Sequence, residues 1–135
     1  MITPGQKKIV VQTLLKRHPD LMAIYHFGSS AKGKMNRESD IDLAVLAKRH
    51  LDTFTTWTLG QHLSALLRYE VDLIDLLKTS TVMRMQVVSK GRCLYEGDTM
   101  KRELFEDYVY SAYARLNEER RGIIEDVRNR GKVYG

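Results

Sequence analysis

The sequence predicts a mixed α and β fold (α+β) in which a small mixed β-sheet is flanked by helices and followed by one long C-terminal helix. Three observations lead there. Short apolar runs rich in strand formers occur at 21–27, 41–47 and 71–77, each bounded by turn or cap residues. Stretches with helical spacing of apolar residues lie between them. From Thr99 to Asn129 the chain has no Gly or Pro except Gly122. A chain of 135 residues has room for one compact domain and one long helix.

Thr3-Pro4-Gly5-Gln6 has the spacing of a capping box, with Pro4 at the first helical position, where a missing N–H costs nothing. Ile9, Val10, Leu14 and Leu15 form one stripe on the helix that follows, and His18-Pro19 ends it. Leu21 to Phe27 reads as a buried strand stopped by Gly28. Residues 28–39, GSSAKGKMNRES, form a polar loop with two glycines and three basic side chains. Ile41 to Ala47 is the second strand. Asp52 or Thr53 caps a helix whose apolar face takes in Phe54, Trp57, Leu59, Leu63, Leu66 and Leu67, which puts Trp57 at core spacing. Val71 to Leu77 is the third strand. Ser80 caps a shorter helix carrying Val82, Met83, Val87 and Val88, with Gly91 as its stop, and Cys93-Leu94-Tyr95 adds a short edge strand. The last segment repeats apolar residues at 104, 105, 108, 112, 116, 123 and 127, as one long amphipathic helix or two hinged near Gly122.

Composition excludes several classes. Apolar residues at 43% and charged residues at 29% are an ordinary globular balance. No apolar run approaches the roughly 20 residues that span a bilayer, so no membrane role is expected. The opening MITPGQKKIV lacks the apolar stretch of a secretory signal, and the single Cys93 makes no internal disulfide, so a reduced, cytoplasmic setting is expected. Residues 1–50 hold nine Lys/Arg against four Asp/Glu, while 51–97 and 98–135 balance at five each and eight each, so the whole excess of +5 lies in the first 50 residues. A local excess points to an anionic ligand there, against the blander reading of a solvated basic face.

The chemistry concentrates in Gly28-Ser29, ten residues, then Asp40-Ile41-Asp42. A glycine ending a strand lets backbone N–H groups approach a ligand closely. Ser29 and Ser30 add hydroxyl donors, and Lys32, Lys34 and Arg37 add positive charge, a set suited to gripping a phosphate tail. Asp40 and Asp42 sit two apart on a strand and so share a face. Adjacent carboxylates repel unless a cation lies between them, and hard oxygen donors suit Mg²⁺ bridging to substrate phosphates. In the third strand Asp72 is an acid between Val71 and Leu73. On the same face as Asp40 and Asp42 it makes a third carboxylate, enough for two metal ions. Asp75 takes that place if the register is off by one. Gly-Ser alone is a common turn, and two acids at a strand start commonly face solvent. The ordered combination is what carries the reading.

FGSSAKG, SDIDLAVL and VDLIDL resemble the motifs of the polymerase-β-type nucleotidyltransferases, in particular the small MNT-domain proteins. The resemblance implies that family's fold and the transfer of a nucleoside monophosphate from an NTP with Mg²⁺. Carried over, Gly28 and Ser29 would hold the triphosphate, joined on the loop chemistry above by Ser30 and Lys32, while Asp40, Asp42 and Asp72 would be the catalytic and metal-binding acids for two Mg²⁺ ions. Residues 1–97 would be the minimal nucleotidyltransferase domain and 98–135 a helical extension for partner docking, together one unit. Chain length leaves no room for a separate substrate domain, which favours a protein partner. Tyr108, Tyr110 and Tyr113 are three of seven tyrosines. On a helix Tyr110 and Tyr113 lie about 160° and 140° from Tyr108, so some aromatic surface is left for an interface.

A tail such as LFEDYVYSAYARLNEERRGIIEDV on an MNT protein of this length resembles the antitoxin half of HEPN/MNT toxin–antitoxin pairs. That resemblance implies transfer of AMP from ATP to a tyrosine of a HEPN-domain ribonuclease toxin, with room for a dimer. Two other readings predict differently. A free-standing nucleotidyltransferase on RNA or a small molecule turns over without a partner, and a non-catalytic antitoxin neutralises by stoichiometric binding even without its acids. Balanced charge in the C-terminal helix and the lack of a helix-turn-helix pattern argue against direct nucleic-acid binding. His26 reads as core or a neighbour of the site, Cys93 as a small buried residue, and Met83 and Met85 as packing.

Overall fold

A computed structural model describes residues 2–28 and 40–134. Among these the elements run α1 (Pro4–Arg17), β1 (Ala23–Phe27), β2 (Ile41–Leu46), α2 (Thr53–Leu67), β3 (Val71–Asp75), α3 (Thr81–Lys90), β4 (Arg92–Glu96) and α4 (Thr99–Tyr134), the order read from the sequence. The strands form one sheet in the order β3-β2-β1-β4. β1 is antiparallel to β2 and to β4, and β2 is parallel to β3, so the sheet is mixed. The crossover from β2 to β3 is α2, as a parallel pair requires.

Local chemistry sets the helix ends. Both halves of the α1 capping box form: Thr3 Oγ1 accepts from the Gln6 N–H at 3.1 Å, and Gln6 Oε1 accepts from the Thr3 N–H at 2.8 Å. The α1 backbone stops at His18, before Pro19. Asp52, rather than Thr53, caps α2 by accepting from the Thr55 N–H at 3.1 Å. Ser80 caps α3 through the Met83 N–H at 3.1 Å. α3 ends at Gly91, where the backbone turns extended and a side chain would run into the carbonyl of Val87.

The pleat divides the strand residues between two apolar layers. Ile24, Leu43, Val45 and Leu73 meet Val10 and Leu14 of α1 and Leu59, Leu63 and Leu67 of α2. On the opposite face Tyr25, Phe27, Ala44 and Leu46 meet Val87 of α3 and Phe105 of α4. Each fully buried aliphatic side chain contributes about 1.5–3 kcal/mol, and the two layers together fix the sheet between helices on both sides.

Several apolar residues expected at helix faces lie outside these layers. Phe54 and Trp57 are 70% and 62% exposed, and Leu66 also faces solvent. Leu59, Gly60, Leu63 and Leu67 cluster within roughly 100° of α2, and Phe54 falls on the opposite side of the helix. Trp57 is therefore not core. Ile9, Val82 and Met83 are exposed at the margins of α1 and α3, and Leu104, Tyr108, Ile123 and Val127 are exposed on α4. The α4 residue that is buried outright is Val109. Cys93 is half-buried rather than buried, and its thiol lies 3.2 Å from the Tyr95 carbonyl.

The last helix is continuous from Thr99 to Tyr134, without a hinge at Gly122, whose surroundings are open. Its first turns are tied to the sheet by polar contacts under Tyr25. The Tyr25 hydroxyl donates to Glu106 Oε1 at 2.8 Å and accepts from Arg102 Nε at 3.1 Å. Arg102 also pairs with Glu96 at 3.0 Å and with Glu106 at 3.2 Å. From Glu118 to Arg130 every residue is exposed. Replacing Tyr25 by Phe removes the hydroxyl from this cluster and leaves Glu106 short of a donor. Urea unfolding is expected to show a loss of about 1–3 kcal/mol.

Candidate active site

β1 ends in Phe27, and Gly28 turns the chain out of the sheet with φ +80°, the left-handed region that strains any residue with a side chain. The position is restricted a second way. A Cβ on Gly28 would collide with Oδ2 of Asp42 and stand 3.2 Å from its Cγ. The glycine backbone and the Asp42 carboxylate are therefore in direct apposition.

β2 lies between the two strands that complete the site. Asp42 is opposite Phe27 of β1 and, in the parallel register, opposite Asp72 of β3. Residues paired this way have side chains on one face with backbones about 4.8 Å apart. That face is the one covered further along by α3 and α4, because Ala44 and Ile74 follow Asp42 and Asp72 at the next inward positions. Asp40 stands two residues before Asp42 at the exposed mouth. The Asp42 carboxyl is pushed up to about 6, first by burial, then by the charges of Asp72 and Asp40. The three acids thus form one electrostatic group beside Gly28.

Asp75 plays a different part. It lies on the other face with Val71 and Leu73 and is 5% exposed. Its Oδ2 accepts from the Leu51 N–H at 2.7 Å and its Oδ1 from the Leu77 N–H at 3.0 Å. Both carboxylate oxygens are taken by backbone amides, tying the segment before α2 to the end of β3. Asp72, not Asp75, shares the face of Asp40 and Asp42. His26 is also on the opposite face from the acids, buried at 1% exposure, and burial holds its imidazole down to about 4. Ser29, Ser30, Lys32, Lys34 and Arg37 fall outside the described residues.

Among the described residues no group of three His, Cys, Asp or Glu side chains is placed to hold a metal ion by itself. The donor set still fits Mg²⁺, which prefers one or two carboxylates completed by water and substrate phosphates to an all-protein cage. A carboxyl whose ionisation is opposed by two neighbouring acids is a place where a divalent cation relieves repulsion. A feature not legible in the motifs adjoins Asp72: a cleft of about 340 Å³ between α2 and β3, with Trp57 on its wall.

The order of elements, the glycine turn and the three acids on one face coincide with a match to the polymerase β nucleotidyltransferase family model over residues 9–100. The chain belongs to this nucleotidyltransferase family. It is similar to the protein adenylyltransferase MntA of Shewanella oneidensis, 43% identical over 118 residues, covering 87% of this chain and 84% of that one. A crystal structure of the toxin-antitoxin with AMP-PNP matches with a TM-score of 0.81 and 42% identity, over 90% of this chain and 97% of that one. The structure of the tri-AMPylated Shewanella oneidensis HEPN toxin in complex with MNT antitoxin matches with a TM-score of 0.76 and 39% identity, over 90% of this chain and 95% of that one. The mixed four-stranded sheet and the long C-terminal helix of this chain agree with the fold expected from the sequence.

Two outcomes follow for this candidate site. Gly28→Ala adds left-handed strain of about 1–2 kcal/mol and forces Asp42 aside, so nucleotidyl transfer is expected to fall by about 100-fold or more, measured as pyrophosphate release. Asp42 also makes the ligand-free protein pH-sensitive. Between the usual carboxylate range and about 6, the folded state holds a proton that the unfolded chain has released. Stability from this group is therefore full below that range and lost as pH rises through about 6. In EDTA, Asp42→Asn is expected to melt higher than the parent protein at pH 7.5, with the gap closing towards pH 4; differential scanning fluorimetry across that range checks it.

Proposed function

We infer that this chain is the antitoxin of a HEPN/MNT toxin–antitoxin pair and acts as a protein adenylyltransferase, moving AMP from ATP to a tyrosine of its HEPN toxin and so silencing it. The observation that carries the chemistry is the alignment of Asp40, Asp42 and Asp72 beside the left-handed Gly28. The similarity to MntA and to structures of toxin-antitoxin complexes supports the choice of donor and acceptor.

In this reading the triphosphate of ATP lies along the turn that begins at Gly28, held by its backbone, by the hydroxyls of Ser29 and Ser30 and by Lys32. Asp40, Asp42 and Asp72 would hold two Mg²⁺ ions. When bound, these supply charge neutralisation for the phosphates and acidify the acceptor hydroxyl. Asp72 lies at the acceptor side and takes the tyrosine proton as the phenolate oxygen bonds to the α-phosphorus. The bond from the α-phosphorus to the β-phosphate oxygen breaks, and pyrophosphate leaves towards Gly28 and Lys32, which stabilise its charge. Asp40 and Asp42 would hold the cations, whose charge would orient the α-phosphate for an in-line displacement.

Residues 1–97 carry this chemistry, and residues 98–135 dock the toxin. The exposed Tyr108, Tyr110, Ile123 and Val127 support that role for α4. No helix among the described residues is long and apolar enough to cross a membrane.

Incubation with the HEPN toxin, Mg²⁺ and ATP labelled at the α-phosphate is expected to label the toxin. A γ-phosphate label is not expected to transfer. Asp40→Asn combined with Asp42→Asn should reduce transfer by about 1,000-fold or more. If no label moves while both proteins still neutralise the toxin, the chain is a binding antitoxin and the enzymatic reading fails. Label on RNA or a small molecule without the toxin points to a free-standing transferase.

A further inference from the structure

We propose that the cleft between α2 and the outer edge of β3 seats the acceptor: an extended, tyrosine-bearing segment of the partner protein that pairs its backbone with Leu73, packs against Trp57 and presents its hydroxyl to Asp72. This rests on the adenylyltransferase reading above and adds to it where the acceptor enters and what holds it.

The sheet order sets the direction of entry. Gly28, Asp42 and Asp72 stand at the end of β1, on β2 and on β3, in that spatial sequence. In-line displacement places the entering and leaving oxygens on opposite sides of the phosphorus. With the leaving pyrophosphate on the Gly28 side, the acceptor enters from the side of β3, which is the outer strand of the sheet. The cleft of about 340 Å³ opens at that edge, and Asp72 is itself part of its lining.

The floor of the cleft offers main-chain partners. The Ile41 N–H bonds to the Glu70 carbonyl, and the Leu76 N–H bonds to the Val45 carbonyl. In a parallel ladder this turns the peptide groups of the even-numbered residues of β3 towards β2 and those of Val71, Leu73 and Asp75 outward. The Val71 N–H is taken by Ser64 Oγ at 2.9 Å. The N–H and C=O of Leu73 face the cleft as a template for strand addition. Gly60 of α2 borders this edge, its Cβ position 3.5 Å from the Val71 carbonyl oxygen, an ordinary van der Waals contact.

The wall supplies the aromatic contact. Phe54 and Trp57 stack at 6.4 Å with their rings 32° apart, and both are largely exposed. Gln61 and Lys78 add polar groups to the lining. A flat ring with a polar tip, held by a backbone ladder, matches this combination of edge, aromatic wall and carboxylate. The adenine of ATP is the other flat ring in the reaction, but the cleft lies beyond Asp72 from Gly28, away from the nucleotide side.

The test uses the full chain with its HEPN toxin and compares Trp57→Ala, which removes the wall, with Gln61→Trp, which fills the cleft. Both positions are exposed, so folding is retained, checked by melting temperature. Each variant is expected to lower kcat/KM for the toxin by about tenfold, while KM for ATP and the affinity for AMP-PNP stay within about twofold of the parent protein. An unchanged kcat/KM for the toxin in both variants overturns the seat while leaving the adenylyltransferase reading intact. A raised KM for ATP with kcat/KM for the toxin unchanged gives the cleft to the nucleobase and also overturns it. Absence of transfer by the parent protein overturns the enzymatic reading and the seat with it.

Discussion

The parallel register of β2 against β3 is the constraint on which the site depends. It sets Asp42 beside Asp72 on one face, where neither gains from the other's charge, and the antiparallel register with β1 brings Gly28 against Asp42 from the opposite side. The central strand thus carries an acid flanked by a second acid and by bare backbone. Burial and like charge oppose ionisation of Asp42 together, so the arrangement costs stability in the empty protein. The cost is located where a cation and a polyphosphate supply the missing counter-charge and hydrogen-bond partners.

The remaining architecture keeps that strained end of the sheet open and its registers fixed. Two apolar layers clamp the sheet from both faces. Asp75 spends its carboxylate on the amides of Leu51 and Leu77, anchoring both ends of the β2–α2–β3 crossover that sets the parallel register. Tyr25, Arg102, Glu96 and Glu106 lock the start of α4 to β1. Beyond that cluster α4 stays in contact with the body through the buried Val109, and from Glu118 to Arg130 every residue is exposed. The proposed division between a sheet that does chemistry and a helix that meets a partner rests on where the buried contacts stop.

Much of this was legible in residue order because it is local. Thr3 and Gln6, Asp52 and Ser80 announce helix starts through hydrogen bonds spanning three residues, and the alternation of Asp40, Asp42 and Asp72 with apolar neighbours gives their faces. The register between β2 and β3 is not local, so the choice between Asp72 and Asp75 stayed open until the strands were paired. The buried face of α2 differs from its apolar stripe for a related reason. Phe54 and Trp57 have the hydrophobicity of core residues, but the core-facing arc of the helix is set by where β3 lies, and that arc is filled by Leu59, Gly60, Leu63 and Leu67. Gly60 carries no signal of its own, yet it lines the cleft beside Asp72 together with Trp57 and Gln61. The continuity of α4 through Gly122 was likewise undetermined by sequence, since an exposed glycine is tolerated in a helix at a cost of about 1 kcal/mol.

The most direct test of the central claim is the titration of the Asp42 carboxyl itself, followed by carbon NMR with labelled aspartate and assigned by Asp42→Asn. In EDTA the account predicts a midpoint of about 6, moving to lower pH when Asp72→Asn removes the neighbouring charge and again when Mg²⁺ and AMP-PNP are added to the parent protein. A midpoint in the ordinary carboxylate range near 4 in the ligand-free protein, indifferent to Asp72, would contradict it and would mean that the acids do not share a site.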